Sequence, residues 1–185
     1  MNIIIERKKY IIRLLREIEK CPATLKYRQE MMVFSYVLVC GAIEFMTENI
    51  LQNWLAKTIK HHTSSKYRGK KYVQNFIEIQ TQAREKNIEN FTSTKLSEIK
   101  KLVGNIVGEK TKEKFNSLLD ASQQSTVIEP DIAARLERIN RTRHDLAHGK
   151  KIPNDIQPNI SELKEDFIFV YNHIIGNIIK CLPKV

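Results

Sequence analysis

Glycine and proline are both scarce, six and five residues in a chain of 185. A turn-rich all-β fold needs more of each, so that class is excluded. Cysteine is limited to Cys21, Cys40 and Cys181, an odd number at wide spacings. No CxxC pair exists, which rules out a disulfide framework or a zinc-finger pattern and points to a reducing cytoplasm. Long hydrophobic runs are missing too. The longest uncharged apolar stretch, Met31 to Ile43, has thirteen residues. A membrane span needs about 20, so this stretch is expected to be a buried core helix, with no membrane partner. Ile3 to Ile5 are too few for a secretory leader, and charges follow at once. The histidines fall as His61–His62, His144–His148 and a lone His173, none in an HExxH pattern. Neither a metal nor any other cofactor is expected.

Acidic charge is also short: 21 Asp and Glu against 31 Lys and Arg, a net charge of +10. That balance serves solubility, or it attracts a polyanion such as nucleic acid. Apolar residues at 42% and charged residues at 28% otherwise describe an ordinary globular chain.

Helical periodicity dominates what is there. Ile11, Leu14, Leu15 and Ile18 mark a first amphipathic helix ending near Cys21-Pro22. A second helix is expected from about 26 to 60. Its first half is apolar nearly all round and should lie central; its second half narrows to stripes through Ile43, Met46, Ile50 and Trp54. From Lys57 to Lys71 the chain turns polar, with six basic residues and no acid, and reads as a loop. A third helix follows with Val73, Phe76, Ile79 and Ala83 inward. Shorter helical pieces, 94–107 and 109–119, are separated by Gly104 and Gly108, and read as an insertion or a peripheral layer. Pro130 suits a first helical residue, with Ile132, Leu136, Ile139, Arg143 and Leu146 following at helical spacing and Gly149 as the stop. Asn159 and Glu162 form a capping pair for a last helix striped by Ile160, Leu163, Phe167, Val170, Ile174 and Ile178. The expected architecture is all-α, an up-and-down bundle with a long central helix and a helical insertion over about 90–125, in one domain spanning 1–185.

The chemistry concentrates between Arg141 and Lys151, where four basic residues and two histidines surround Asp145 at a helix end. Cations favour the last turn of any helix, because its carbonyls are unsatisfied. Arg143 asks for more. It lies on the apolar stripe, where a guanidinium needs an acid, a partner subunit or a phosphate. His148, five residues on, is turned about 140° from it on a regular helix. The two converge only if the helix ends between them or a second copy supplies half the site.

The segment Arg143-His144-Asp145-Leu146-Ala147-His148 resembles the signature of the HEPN ribonucleases, an Arg followed four to six residues later by His near a helix end. Val39-Cys40-Gly41-Ala42-Ile43-Glu44-Phe45 resembles the earlier helix of the RiboL-PSP-HEPN branch. The bare spacing is common by chance: Arg138 to His144 and Arg141 to His148 also fit it. The specific features are the penultimate-helix position, the Leu-Ala-His-Gly ending and the Glu-containing helix. One departure is His144, where the family commonly carries Asn.

The resemblance implies a homodimer with both Arg/His pairs facing one cleft, and RNA as substrate. The implied activity is a metal-independent endoribonuclease making a 2′,3′-cyclic phosphate and a 5′-OH. Catalytic roles fall on Arg143 and His148, with His144 auxiliary and Glu44 either orienting them or serving as a structural acid. Arg141, Lys150, Lys151, Lys66, Arg68, Lys70 and Lys71 are the candidate RNA contacts. The branch also resembles toxins and anti-phage effectors, which implies a cognate antitoxin or defence-system partner. The rival reading is a non-catalytic helical module for dimerisation or RNA binding. A weaker third is a toxin silenced by nucleotidyl transfer onto a hydroxyl residue.

Overall fold

The computed structural model describes residues 2–22, 27–64, 71–91, 93–124, 132–148, 150 and 159–184. Among them all regular structure is helical: α1 (Asn2–Lys20), α2 (Arg28–Ser64), α3 (Lys71–Glu89), α4 (Leu96–Val107), α5 (Glu109–Gln124), α6 (Ile132–Ala147), α7 (Ile160–Val170) and α8 (Gly176–Cys181). The architecture is the expected all-α up-and-down bundle, built along the long helix α2.

The periodic positions place the core. α1 buries Ile4, Ile11, Leu15 and Ile18, and all six stripe residues of the last helical segment are buried. That segment is not a single α-helix. One π-helical turn, Tyr171–Ile175, separates α7 from α8. The Asn159 side chain caps α7 by accepting from the Glu162 N–H at 3.0 Å. The Glu162 carboxylate does not return the bond; it pairs with Arg138 at 2.7 Å.

Five local expectations change. α2 continues past its expected end near 60 to Ser64, so residues 61–64 are helical where a loop was expected. The first half of α2 is not buried all round: Val33, Tyr36, Val39, Cys40 and Ile43 face inward, but Phe34 (61% exposed), Val37 and Leu38 face out. Among the described residues no helix covers the face of α2 that carries Phe34, Val37 and Leu38. In α3, Ile79 is 63% exposed and Ala83 is also exposed. Among the described side chains of α3 the buried one is Ile88; those of Val73 and Phe76 lie outside what the structure describes. Finally, Gly104 sits inside α4; the break falls at Gly108 alone, whose φ of 116° is a conformation L side chains rarely adopt. α4 and α5 are no outer layer. They bury Ile99, Leu102, Val103, Ile106, Phe115 and Leu119 in the same core cluster as the other helices.

α6 carries the signature residues, and its rotation is fixed by ions. Asp166 of α7, 1% exposed, accepts from Arg135 at 2.8 Å and from Arg138 at 2.6 Å. A buried carboxylate without cations would be strongly disfavoured, so this cluster locks α6 against α7. Ile132, Leu136 and Ile139 then point into the core. The face bearing Glu137, Arg141, His144 and His148 turns outward. By length and apolar composition α2 passes as a candidate membrane span, yet half of that window is buried in the bundle.

Candidate active site

Two helices and one connecting segment build the site. On α2, Cys40 and Glu44 are one turn apart and share a face. On α6, Asn140 and Arg143 do the same. The faces meet: the Arg143 guanidinium donates to Glu44 Oε1 at 2.7 Å. The Cys40 thiol lies 3.7 Å from Asn140 Oδ1. Thr94, just before α4, donates its hydroxyl to the same Asn140 oxygen. Arg143 is a third exposed and Glu44 more covered, so the pair sits at the edge of solvent. Burial works against the Arg143 charge, but Glu44 more than offsets it and holds the guanidinium above its ordinary range. Glu44 and burial both act on Glu48, one turn further, with burial the larger cause; its carboxyl is raised. Cys40 is pushed up to about 11 by burial and is a neutral thiol.

α6 stops where the geometry requires. It ends at Ala147, and His148 occupies a turn, its N–H still donating to His144 O at 3.1 Å. The Lys150 N–H closes back onto Asp145 O at 2.9 Å, the six-to-one bond of a Schellman ending. His148 is therefore the first residue beyond α6, still one turn on from His144. Its ring comes to rest against His144, centroids 4.2 Å apart. Lys150 Nζ lies 3.1 Å from His144 Nε2. Burial, then the charges of Lys150 and His148, hold His144 below the ordinary histidine range. A neutral His144 thus accepts from Lys150.

Arg143, His144, His148, Arg141 and Lys150 line one open cavity of about 620 Å³. Glu44 stands behind Arg143. Lys71 is the first residue of α3, and its side chain lies outside what the structure describes. Lys66, Arg68, Lys70 and Lys151 lie outside the described residues, as do Pro130 and Gly149. Arg138, the decoy in the Arg-to-His spacing, is committed to Asp166 and Glu162 instead. Trp54 is half-buried and donates to Pro183 O at 3.1 Å, and His173 rests on Phe169 at 4.3 Å.

Asp145 lines the cavity as well, and sequence reasoning did not find Ser93, Thr94, Lys95, Glu137 or Asn140, which complete it. Asn140 and Glu137 share α6 with Arg143 and were reachable from helical spacing. Ser93 to Lys95 carry no local motif and arrive only through tertiary packing. Among the described residues no three His, Cys, Asp or Glu side chains gather to hold a metal ion.

A family model described as RiboL-PSP-HEPN matches residues 2–182. No curated protein and no solved structure matches.

Proposed function

Since the chain belongs to the RiboL-PSP-HEPN family, a ribonuclease-associated branch, we propose that it is an endoribonuclease acting through Arg143 and His148. The observation that carries this reading is the shared cavity: a guanidinium, two imidazoles and an ammonium converge on one open space. RNA brings its own nucleophile, the 2′-OH. His148 takes that proton as the 2′ oxygen attacks the adjacent phosphorus. The P–O5′ bond breaks, and a histidine of the second protomer returns a proton to the leaving O5′. Arg143 binds the phosphate and stabilises the charge added in the transition state. Glu44 positions Arg143. Arg141, Lys150 and Lys95 hold flanking phosphates. Products are a 2′,3′-cyclic phosphate and a 5′-OH.

A second copy of the chain completes the site. Val37, Gly41, Glu44 and Glu48 follow at helical spacing on one face of α2. The exposed apolar patch of Phe34, Val37 and Leu38 therefore runs directly into the Arg143 pair. Gly41 is exposed and nothing lies within 4 Å of a Cβ built on it. A partner backbone can approach closely there. Toxin or anti-phage activity in the cytoplasm, restrained by a cognate partner, is the biology this reading implies.

The same apolar face, with Arg143 already satisfied by Glu44, also supports the non-catalytic dimerisation or RNA-binding module. Incubating purified protein with total RNA in EDTA separates the two. Cleavage lost in both Arg143→Ala and His148→Ala, with folding kept, supports catalysis. Wild-type inertness against diverse RNAs favours the module.

A further inference from the structure

The cavity is longer than a phosphate requires. From His148 its lining runs back along α6 through His144, Arg141 and Asn140 to Glu137. Glu137 precedes Arg143 by six residues, about 9 Å of helical rise. That separation is the reach of one nucleotide from its phosphate to its base. The facing wall is Ser93, Thr94 and Lys95.

Two side chains at this end have unspent hydrogen-bonding capacity. Asn140 Oδ1 already accepts from Thr94, with the Cys40 thiol beside it. This fixes the amide and leaves its NH2 for the cavity. Glu137, one turn earlier on the same face, is exposed and pairs with no described residue, though Arg141, Lys95 and Lys150 line the same cavity. Two acids line the cavity: Asp145 acts on His144 at the phosphate end, whereas Glu137 stands at the other end, where an unpaired carboxylate repels phosphate and is suited to accept hydrogen bonds from something else.

We propose that this end of the cavity is a guanine subsite. It rests on the ribonuclease reading for the phosphate end only. Along its pairing edge guanine presents O6 as acceptor, then N1–H and N2–H as adjacent donors. The Asn140 NH2 and the two Glu137 oxygens offer donor, acceptor, acceptor, which answers all three. Adenine and cytosine present a donor first, against the Asn140 NH2. Uracil has one donor where two are needed, and sets a carbonyl against the second carboxylate oxygen. Single-stranded RNA exposes this edge for such reading.

Calorimetric titration of the full-length protein with the 3′-monophosphates of the four nucleosides tests the subsite. The guanosine nucleotide binds about tenfold or more tighter than the other three. Glu137→Gln, an exposed change of equal shape, removes that preference while affinity for inorganic phosphate holds or rises. Equal or undetectable binding of all four, or a preference that survives Glu137→Gln, overturns the proposal. Cleavage mapping keeps the two readings apart. RNA cut without guanine preference removes the subsite and leaves the nuclease; selective guanosine binding without cleavage does the reverse.

Discussion

The Arg143 guanidinium donates to Glu44 Oε1 at 2.7 Å, joining α6 to α2 across 99 positions of sequence. A cation on the apolar stripe of α6 is thereby explained by an acid on the long helix α2. Each residue accounts for the other's position. The pair aims the guanidinium at the cavity rim instead of leaving it to solvent.

Glu44→Gln keeps the shape and removes the charge that orients Arg143. The cleavage kcat falls about 100-fold, with KM little changed, because the bound substrate is held but misaligned. Glu44→Asp recovers part of the loss. Steady-state kinetics on a short RNA checks this, and an unaltered kcat in Glu44→Gln makes the acid merely structural.

Asp166 is nearly fully buried and gathers Arg135 and Arg138. Asp166→Asn leaves two guanidinium groups facing a neutral amide and lowers stability by about 3 kcal/mol, the low end for a broken buried pair because Arg138 keeps solvent contact. Urea unfolding followed by circular dichroism measures the change. A loss under about 1 kcal/mol shows that the cluster orients α6 without stabilising it.

Helix identity was legible in the sequence wherever an apolar stripe met a core. The stripe from Ile160 through Ile178 is buried as its spacing demands, as are Ile11, Leu15 and Ile18, with Leu14 partly buried beside them. Apolar spacing failed where no neighbour arrives: Phe34, Val37, Leu38 and Ile79 are as hydrophobic as core residues and remain exposed. A single sequence cannot distinguish a residue covered by its own chain from one covered by another molecule. Arg143, His144 and His148 were legible because they adjoin in sequence. Thr94 and Lys95 were not, since their proximity to Asn140 and His144 depends on how α4 packs.

Phe34→Glu and Leu38→Glu place charge on the exposed face of α2. Both variants keep their helical circular dichroism and shift from dimer to monomer in analytical ultracentrifugation. RNA cleavage is lost with the dimer. A monomeric variant that still cuts RNA at the wild-type rate shows that one chain is sufficient.

His144 is held below the ordinary histidine value of about 6.5 by burial first, then by Lys150 and His148. The unfolded chain therefore binds this proton more readily than the folded one. His144 subtracts stability as pH falls through about 6.5 and contributes nothing above it. A proton NMR titration finds its midpoint below that value, and Lys150→Ala moves the midpoint up. A midpoint unaffected by Lys150→Ala means that the ammonium does not bond to the ring in solution.

Burial pushes both Cys40 and Cys181 up to about 11, whereas Cys21 is half-exposed. At pH 8 a thiol-specific disulfide reagent modifies Cys21 in the native protein, and the other two only after unfolding. Rapid native labelling of Cys40 means that the floor beneath Arg143 opens to solvent.

Cleavage chemistry tests the account at its centre. A defined RNA is incubated with the full-length protein in EDTA, beside the same strand carrying a single 2′-deoxy sugar at the cut site. Mass spectrometry of the products finds a 2′,3′-cyclic phosphate and a 5′-OH from the all-ribose strand, and no cut at the deoxy position. Ends bearing a 5′-phosphate and a 3′-OH, or cleavage that persists in His148→Ala, contradict a reaction in which His148 activates the 2′-OH.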